Sequence, residues 1–226
     1  GAELELYITD KSGQPLSLNR TLLEALQDPH LTLELNRFNL EYNLDPVLDS
    51  DKPFSQLSES MKLAVAKVSS AASLYDARIL PIGILPTLQK QHVGMDAITD
   101  IPRYHALARA LRGKRGSDFH INISGQDELD LSWEDVTLEG ANTSFQYHYR
   151  VNPDEFASAF NVAQLVTPLV LALGANSPLF FGQRLWHETR IALFKQSVDC
   201  RMEDPLSQRL PARGFFGHGW VRDDVY

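Results

Sequence analysis

The sequence predicts an α+β protein built on a largely antiparallel sheet with helices packed on one face. Several segments alternate strictly between apolar and polar residues, which is the period of a half-buried strand. Other segments carry apolar residues at helical spacing, but few of them are placed as regular crossovers between strands. Strands that lie close in sequence without such crossovers favour antiparallel pairing over a doubly wound parallel sheet.

In the first half of the chain, alternation and turn residues predict four elements in order. Residues 2–8 form a strand, and residues 18–26 form a short helix after a turn. Residues 31–44 form strand structure, either as two strands or as one strand with a bulge. Residues 55–77 form a helix in which Ser55 is the expected N-cap.

The second half begins with a nearly continuous apolar run over residues 78–85, which predicts a buried strand. Residues 102–111 have the spacing of a helix. Strict alternation returns over residues 117–124 and 143–151, so we expect a strand at each. No Gly-rich phosphate loop of either standard type occurs in the sequence, which excludes the commonest nucleotide-binding folds.

The last predicted helix has a strong start signal and runs through an uncharged stretch. Asn152 is the expected cap and Pro153 the first helical residue. No charged residue occurs over 156–183, but polar residues and prolines interrupt this stretch, and its densest apolar run, 165–175, is too short to cross a bilayer. We therefore expect residues 153–175 to form a buried helix packed on the convex face of the sheet.

Composition limits the classes of function. The 226 residues include 21 basic and 29 acidic side chains, a net charge of −8, which argues against nucleic acid and anionic membranes as partners. The same balance fits a site that concentrates carboxylates around cations. The single cysteine, Cys200, rules out an internal disulfide and suits a reducing compartment, and the acidic start at Gly1 is not a secretory signal. We expect a cytoplasmic protein.

Two strands present polar residues that could bind a ligand. Glu3 and Glu5 share one face of the first strand, a pattern that is more often a solvated face than a metal site. Asn39, Glu41 and Asn43 share one face further along, with apolar residues on the other face. A ligand-facing strand needs this arrangement, but a solvent-facing strand of an open sheet has it as well.

Two later segments add a histidine and several arginines. Gln146, His148 and Arg150 share one strand face. A lone histidine on a strand is usually only hydrogen-bonded, but a histidine between a glutamine and an arginine on the same face is less easily explained in this way. The segment 186–190 ends at Arg190. Further arginines follow it and could contact phosphate or carboxylate, although ordinary surface arginines look the same: Arg201, Arg209 and Arg213.

The order of these segments resembles the glutamate–cysteine ligase type 2 family. The resemblance rests on the Glu3-x-Glu5 strand, on Glu41 before a proline-containing turn, and on His148 before the long apolar helix. Other segments that resemble the family are Pro102-Arg103-Tyr104, Thr143 to His148, Ala175 to Pro178, Glu188 to Arg190, and Arg213 to Trp220. The resemblance covers nearly the whole chain.

This resemblance implies a glutamine-synthetase-like fold, in which an antiparallel sheet forms a funnel whose concave face holds metal ions and ATP. It implies four metal ligands: Glu3, Glu5, Glu41 and His148. Carboxylates on separate strands suit Mg²⁺, and the histidine makes Mn²⁺ a plausible substitute. Glu34 competes with Glu41; their odd separation puts them on opposite faces of a regular strand unless a bulge intervenes, and Glu41 is preferred.

The implied reaction joins a carboxylate to an amine with consumption of ATP. The carboxylate attacks the γ-phosphate to give an acyl phosphate and ADP, and the amine then displaces phosphate to form the amide. Arg190 and Arg150 are the expected catalytic residues, and Arg190 and Arg213 the expected contacts to the nucleotide. The expected substrate contacts are Asn39, Asn43, Gln146 and Arg150.

Two other functions stay open at the level of sequence. One is a phosphotransferase of the same fold, and the other is a non-catalytic or incomplete binding or assembly domain. The expected unit is a single ligase-like catalytic domain over residues 1–226, and truncation at one or both ends is left open. The expected partners are a small carboxylate and a small amine, and a homo-oligomer is an open alternative.

Overall fold

The computed structural model describes residues 1–49, 52–202, 206–214 and 219–222. The strands in these ranges are β1 Ala2–Thr9, β2 Leu31–Leu33, β3 Asn39–Leu44, β4 Arg78–Leu80, β5 Phe119–Ser124, β6 Glu128–Trp133, β7 Phe145–Tyr147, β8 Leu179–Phe180 and β9 Gln183–Arg184. The α-helices are α1 Asn19–Leu26, α2 Pro53–Ser73, α3 Pro102–Arg115, α4 Phe156–Gly174 and α5 Thr189–Ser197. Short 3₁₀ turns include Glu139–Ala141 and Pro153–Glu155.

A five-stranded antiparallel sheet is the centre of the fold. Its order is β2-β3-β1-β4, and β7 also pairs with β1. β3 pairs along most of β1, while β4 pairs with the end of β1 and β7 with its start. All of these pairings are antiparallel, which confirms the predicted sheet type.

The apolar face of this sheet is covered by α1 and α2. Leu6 and Ile8 of β1 and Leu40 of β3 are fully buried there, because alternate strand residues point to one face. Leu22 of α1 and Val68 of α2 pack into the same cluster. These two helices on one face agree with the predicted α+β arrangement.

The other face borders a second layer made from the β5–β6 hairpin, α3 and α5. Phe119 and Ile121 of β5 and Leu193 of α5 are fully buried in a second core. Tyr7 reaches this core from β1 and stacks on Phe38 with ring centroids 5.8 Å apart. The central sheet therefore has a core on each side, and its polar residues occupy the part of the second face that this core leaves open.

The prediction that the 153–175 helix is buried is wrong. The helix forms, but none of the residues of α4 is buried against the described part of the chain, and Leu169 and Leu173 are 67% and 91% exposed. Pro153–Gly174 is long and apolar enough to cross a membrane by length and composition. Apolar composition predicts that a helix is covered, but it does not identify the element or the partner that covers it. The absence of a membrane partner stays a prediction.

Some predicted element limits also change. The 78–85 strand ends at Leu80, because Pro81 lacks the N–H that would extend the ladder. The 143–151 strand is reduced to the three residues of β7, and the 31–44 region consists of two strands. Ser55 is not the N-cap, since α2 begins at Pro53, and within the described ranges no side chain caps this helix.

Candidate active site

The polar face of β1 and β3 carries the carboxylates that the sequence singles out. The antiparallel register sets Glu3 opposite Asn43, Glu5 opposite Glu41, and Tyr7 opposite Asn39. Directly opposed residues point to the same face, with Cβ atoms about 4.5–5.5 Å apart. Glu3, Glu5 and Glu41 therefore lie side by side, on strands of one sheet, as expected.

His148 follows β7 directly and lies beside Glu3. Its backbone N–H donates to the carbonyl of Gly1 at 2.9 Å, and its carbonyl accepts from the Gly1 amino group at 3.2 Å. Its Nε2 lies 3.3 Å from the Glu3 carboxylate, and Gln146 is opposite Glu3 in the register. The histidine is thus on the same face as the two glutamates of β1.

Glu34 lies on the same face as Glu41, which corrects the expectation of opposite faces. Thr32 is opposite Glu41 in the β2–β3 register, and its hydroxyl donates to the Glu41 carboxylate at 3.1 Å. Glu34, two residues beyond Thr32, is close enough that the Glu41 charge raises its pKa. Their odd separation does not put the two glutamates on opposite faces, because the chain reverses between β2 and β3 and they are not on one strand.

A cavity of about 580 Å³ opens on this polar face. We call it the carboxylate cavity; the residues that define it are Glu5, Glu34, Asn39, Glu139, Gln146 and Arg190. They come from the central sheet, from the turn before β7, and from α5. Its size is within the range of small-ligand sites, about 300–1,000 Å³.

The turn Glu139–Ala141 is held in place by contacts that leave no space for a side chain at Gly140. The Asn36 side chain donates to the carbonyl of Thr137 at 2.9 Å, and a Cβ atom at Gly140 would lie 2.7 Å from the Asn36 side chain. The Tyr7 hydroxyl donates to the carbonyl of Ala141 at 2.5 Å. These contacts place the Glu139 side chain in the cavity lining.

Glu139 is a site residue that the sequence reasoning missed. A signal for it exists, because Glu139 is the only formally charged side chain between Asp135 and Arg150, histidine counted as neutral. A lone carboxylate next to a glycine, in the turn that precedes a ligand-facing strand, is the pattern that indicates it.

Three carboxyl groups of the cavity have raised pKa values. Burial, with help from the Glu34 charge, raises the pKa of Glu5 to about 8, against the opposing effect of hydrogen bonds from Ser144. Burial and the Glu41 charge raise the pKa of Glu34 to about 7. Burial and the Glu34 charge raise the pKa of Glu139 to about 7. A bound cation would relieve this crowding of negative charge, and so would protonation.

Arg190 is held rigidly at the wall of the cavity. Its Nε donates to Oε2 of the buried Glu188 at 2.5 Å, and its Nη1 donates to the carbonyl of Thr143 at 3.4 Å. The other Glu188 oxygen accepts from the backbone N–H of Asn176 at 2.8 Å. A guanidinium has five N–H donors, so Arg190 retains donors for an anionic ligand.

The remaining expected substrate contacts divide into two groups. Asn39 and Gln146 line the cavity. Asn43 lies outside the lining and donates to the Glu41 carboxylate at 2.9 Å, and Arg150 is exposed beyond β7. Among the described residues, Arg150 makes neither a hydrogen bond nor an ion pair, so the structure does not bring it to the cavity.

The later arginines also divide. Burial raises the pKa values of Glu139 and Cys200, and Arg213 is near enough for its charge to oppose both increases. Arg201 pairs with Asp199 at 2.6 Å and has a structural role. Residues 215–218, which belong to the family-like segment that starts at Arg213, lie outside the described residues.

The arrangement of the carboxylates suits a metal ion whose shell is completed by a phosphate ligand better than a metal ion held by protein side chains alone. In the described part of the chain, no three His, Cys, Asp or Glu side chains form a group that could hold a metal ion. Mg²⁺ needs only one or two protein carboxylates when waters and phosphates complete its shell. Ser144 donates to both oxygens of Glu5, at 2.9 and 2.8 Å, which fixes that carboxylate and leaves it further acceptor positions.

An antiparallel sheet with carboxylates at a cavity, and a hydrogen-bonded guanidinium in the cavity lining, defines an α+β protein with a charged cavity of small-ligand size. The sequence model of glutamate–cysteine ligase family 2 matches residues 1–217, and the chain belongs to this family. Membership implies a ligase and suggests a carboxylate–amine ligase. No curated protein matches the chain.

Proposed function

We propose that the chain is an ATP-dependent carboxylate–amine ligase that acts through an acyl-phosphate intermediate. The observation that carries the proposal is the row of Glu3, Glu5 and Glu41 on one face of the sheet, of which Glu5 lines a cavity together with Arg190. Phosphoryl transfer depends mainly on positioning and on neutralising charge, and this site has groups for both.

Each side chain has a proposed part in this reaction. Glu3, Glu5, Glu41 and His148 would hold Mg²⁺, or Mn²⁺ in its place, at the polar face of the sheet. The bound ions would supply charge neutralisation at the phosphoryl group. Arg190, held by Glu188, would orient an anionic oxygen, and Arg213, whose charge acts on Glu139, would contact the nucleotide.

Asn39 and Gln146 would position the substrates within the cavity. The exposed Arg150 and the internally bonded Asn43 have weaker support as substrate contacts, because neither lines the cavity. The proposal includes a glutamine-synthetase-like fold over a single domain, a cytoplasmic location, and a small carboxylate and a small amine as substrates.

The test is a product analysis with the full chain, MgATP, a carboxylate and an amine, beginning with glutamate and cysteine as the family default. A ligase releases ADP and phosphate only when both substrates are present, and it forms an amide that mass spectrometry detects. With ¹⁸O in the substrate carboxylate, one labelled oxygen passes to the released phosphate if an acyl phosphate forms.

Glu41→Gln should remove turnover, while Glu24→Gln, which changes an exposed carboxylate on α1, is the matched control. A phosphorylated acceptor without amide would instead indicate a phosphotransferase. Absence of turnover with every amine, together with indifference to Mg²⁺, would support a non-catalytic binding or assembly domain and contradict the proposal.

A further inference from the structure

The outer face of α4 is a continuous apolar surface that the described part of the chain leaves exposed. Six large side chains on it have exposed fractions from 44% to 91%: Val162, Leu165, Val166, Leu169, Val170 and Leu173. The opposite face of the helix is half-buried, and Thr167 and Leu171 on that face line the carboxylate cavity. The helix therefore contacts the rest of the protein along one face and is uncovered along the other.

The spacing of the outer face is that of a helix that packs on another helix. Four of its residues follow one another at intervals of four, three and four positions: Val162, Val166, Leu169 and Leu173. This heptad spacing aligns apolar side chains along a single seam between two helices. Leu165 and Val170 lie on either side of the seam and widen it. The outer face thus has the pattern of a helix–helix contact.

The exposed area is large enough for a dimer interface. A large apolar side chain buries on the order of 100 Å², so the six side chains provide roughly 600 Å² per copy. Two copies would bury about 1,200 Å² in total, which is the lower end of the range for stable specific interfaces. Because association costs translational and rotational freedom, a dimer with an interface of this size should dissociate when it is diluted below about 1 μM.

Charge and hydrogen bonding favour a second copy over a lipid bilayer as the partner of this face. The chain has a net charge of −8, but no charged residue occurs over 156–183, so two copies can meet at α4 without opposing like charges. A membrane-spanning helix is apolar on all sides. Asn161 instead forms two hydrogen bonds with the backbone of Val221, at 2.7 and 2.9 Å, and Gln164 donates to the carbonyl of Gly219 at 3.2 Å.

The two helices fit each other in the antiparallel orientation. In a parallel pair, the acidic residues 154–155 at the start of both helices would lie together and repel. In an antiparallel pair they are separated by about 28 Å, the length of the 19 residues of α4. The seam then sets Val166 against Leu169 of the partner subunit, and Val162 against Leu173 of the partner subunit. Each layer combines one valine with one leucine, so the layers have equal volume.

We propose that the outer face of α4 is the interface of a homodimer, in which the helices of two copies of this chain pack antiparallel about a two-fold axis. A two-fold axis uses the same surface on both subunits, and the seam is self-complementary in this way. The proposal concerns assembly and does not depend on the ligase reaction. The inner face of α4 continues to line the carboxylate cavity in the dimer.

Sedimentation velocity of the full chain in detergent-free buffer tests the assembly at concentrations from about 0.5 to about 50 μM. We expect the monomer to prevail at the lowest concentration and a species of twice its mass at the highest. A monomer at every concentration would overturn the proposal. A protein that stays in solution only with detergent would also overturn it, because a bilayer would then be the partner of α4.

A charged variant assigns the interface to the seam. Val166→Glu combined with Leu169→Glu sets carboxylates of the two subunits against each other, and should weaken dimerisation at least about a hundredfold. Both positions are exposed in the monomer, so circular dichroism and the Tm of the dilute protein should be unchanged. Leu63→Glu, at a leucine of α2 that is 64% exposed, is the matched control and should leave dimerisation unchanged. Equal dimerisation of the double variant and the control would refute the assignment.

A cross-linking variant tests the orientation without adding charge. Val166→Cys combined with Leu169→Cys should give a disulfide-linked dimer under mild oxidation, because the antiparallel seam sets these two positions against each other. Leu63→Cys is the control and should stay monomeric on a denaturing gel without reductant. Absence of the cross-link in the double variant would overturn the antiparallel packing, and so would an equally efficient cross-link at position 63.

Discussion

Glu5 allows a direct test of the electrostatics of the cavity. Burial and the charge of Glu34 raise its pKa from the ordinary 4.5 to about 8. The folded state therefore favours the protonated carboxyl, and the stability that this contributes is complete below about pH 4.5. It is lost as the pH rises through about 8. Glu5→Gln keeps the shape and cannot ionise, so this variant should lose less stability over the same pH range.

The size of the effect follows from the shift. The interval from 4.5 to about 8 corresponds to about 5 kcal/mol at 1.36 kcal/mol per pH unit. This value is an upper limit, because Glu34 and Glu139 titrate in the same interval and protonation of one carboxyl relieves the others. We expect Glu5 to account for about 3 kcal/mol of the loss between pH 5 and pH 8, which is a large part of a typical stability of 5–15 kcal/mol.

Urea unfolding at several pH values from 5 to 8.5 measures this loss, with metal chelated so that only protons relieve the repulsion. Glu5→Gln should flatten the pH dependence, and Glu24→Gln should reproduce the wild-type curve. If Glu5→Gln loses stability as steeply as the wild type, folding does not raise the pKa of Glu5, and the electrostatic reasoning is refuted.

Three further predictions test other parts of the molecule. Millimolar Mg²⁺ or Mn²⁺ should raise the Tm at pH 8, with a further rise when an ATP analogue is added, and Glu41→Gln should abolish the metal increment; a retained increment would exclude Glu41 as a ligand. Leu40→Ala should lower the free energy of unfolding by about 2–5 kcal/mol because this side chain is fully buried. Leu173→Ala, at an exposed position of α4, should change that of the monomer by less than about 0.5 kcal/mol. Equal losses for the two variants in urea unfolding would contradict the exposed position of α4. Burial tends to raise the pKa of Asp28, but hydrogen bonds, led by the one from Lys67 at 2.6 Å, lower this pKa to about 2. The stability that Asp28 contributes is therefore present above about pH 4 and is lost as the pH falls towards 2. Lys67→Met should reduce the stability measured by thermal unfolding by about 1 kcal/mol at pH 7 and by less at pH 2, and an equal loss at both pH values would refute the pairing.

Much of the central sheet could be predicted from the sequence, because it depends on short-range patterns. Strict alternation identified β1 to within one residue at its end, and helical spacing identified α1 and α3. Alternation also determines which side chains share a strand face, so the common orientation of Glu3 and Glu5 needed no tertiary information. The order of motifs along the chain was enough to indicate the family.

The composition of the cavity depended on tertiary structure. Glu34 and Glu139 are separated by more than a hundred residues, yet they lie close enough for the charge of Glu34 to raise the pKa of Glu139. The chain reversal between β2 and β3 and the close approach of Gly140 to Asn36 bring them together. Neither contact has a period or a spacing that a sequence window could detect.

The contrast is clearest in α4. The sequence determined that residues after Asn152 form a long apolar helix, because helix propensity and a proline in the first turn are local properties. It did not determine whether other parts of the chain cover that helix, and in the described structure Leu173 is 91% exposed. Secondary structure follows from neighbours along the chain, whereas burial and the grouping of charges follow from neighbours in space, which only the tertiary structure decides.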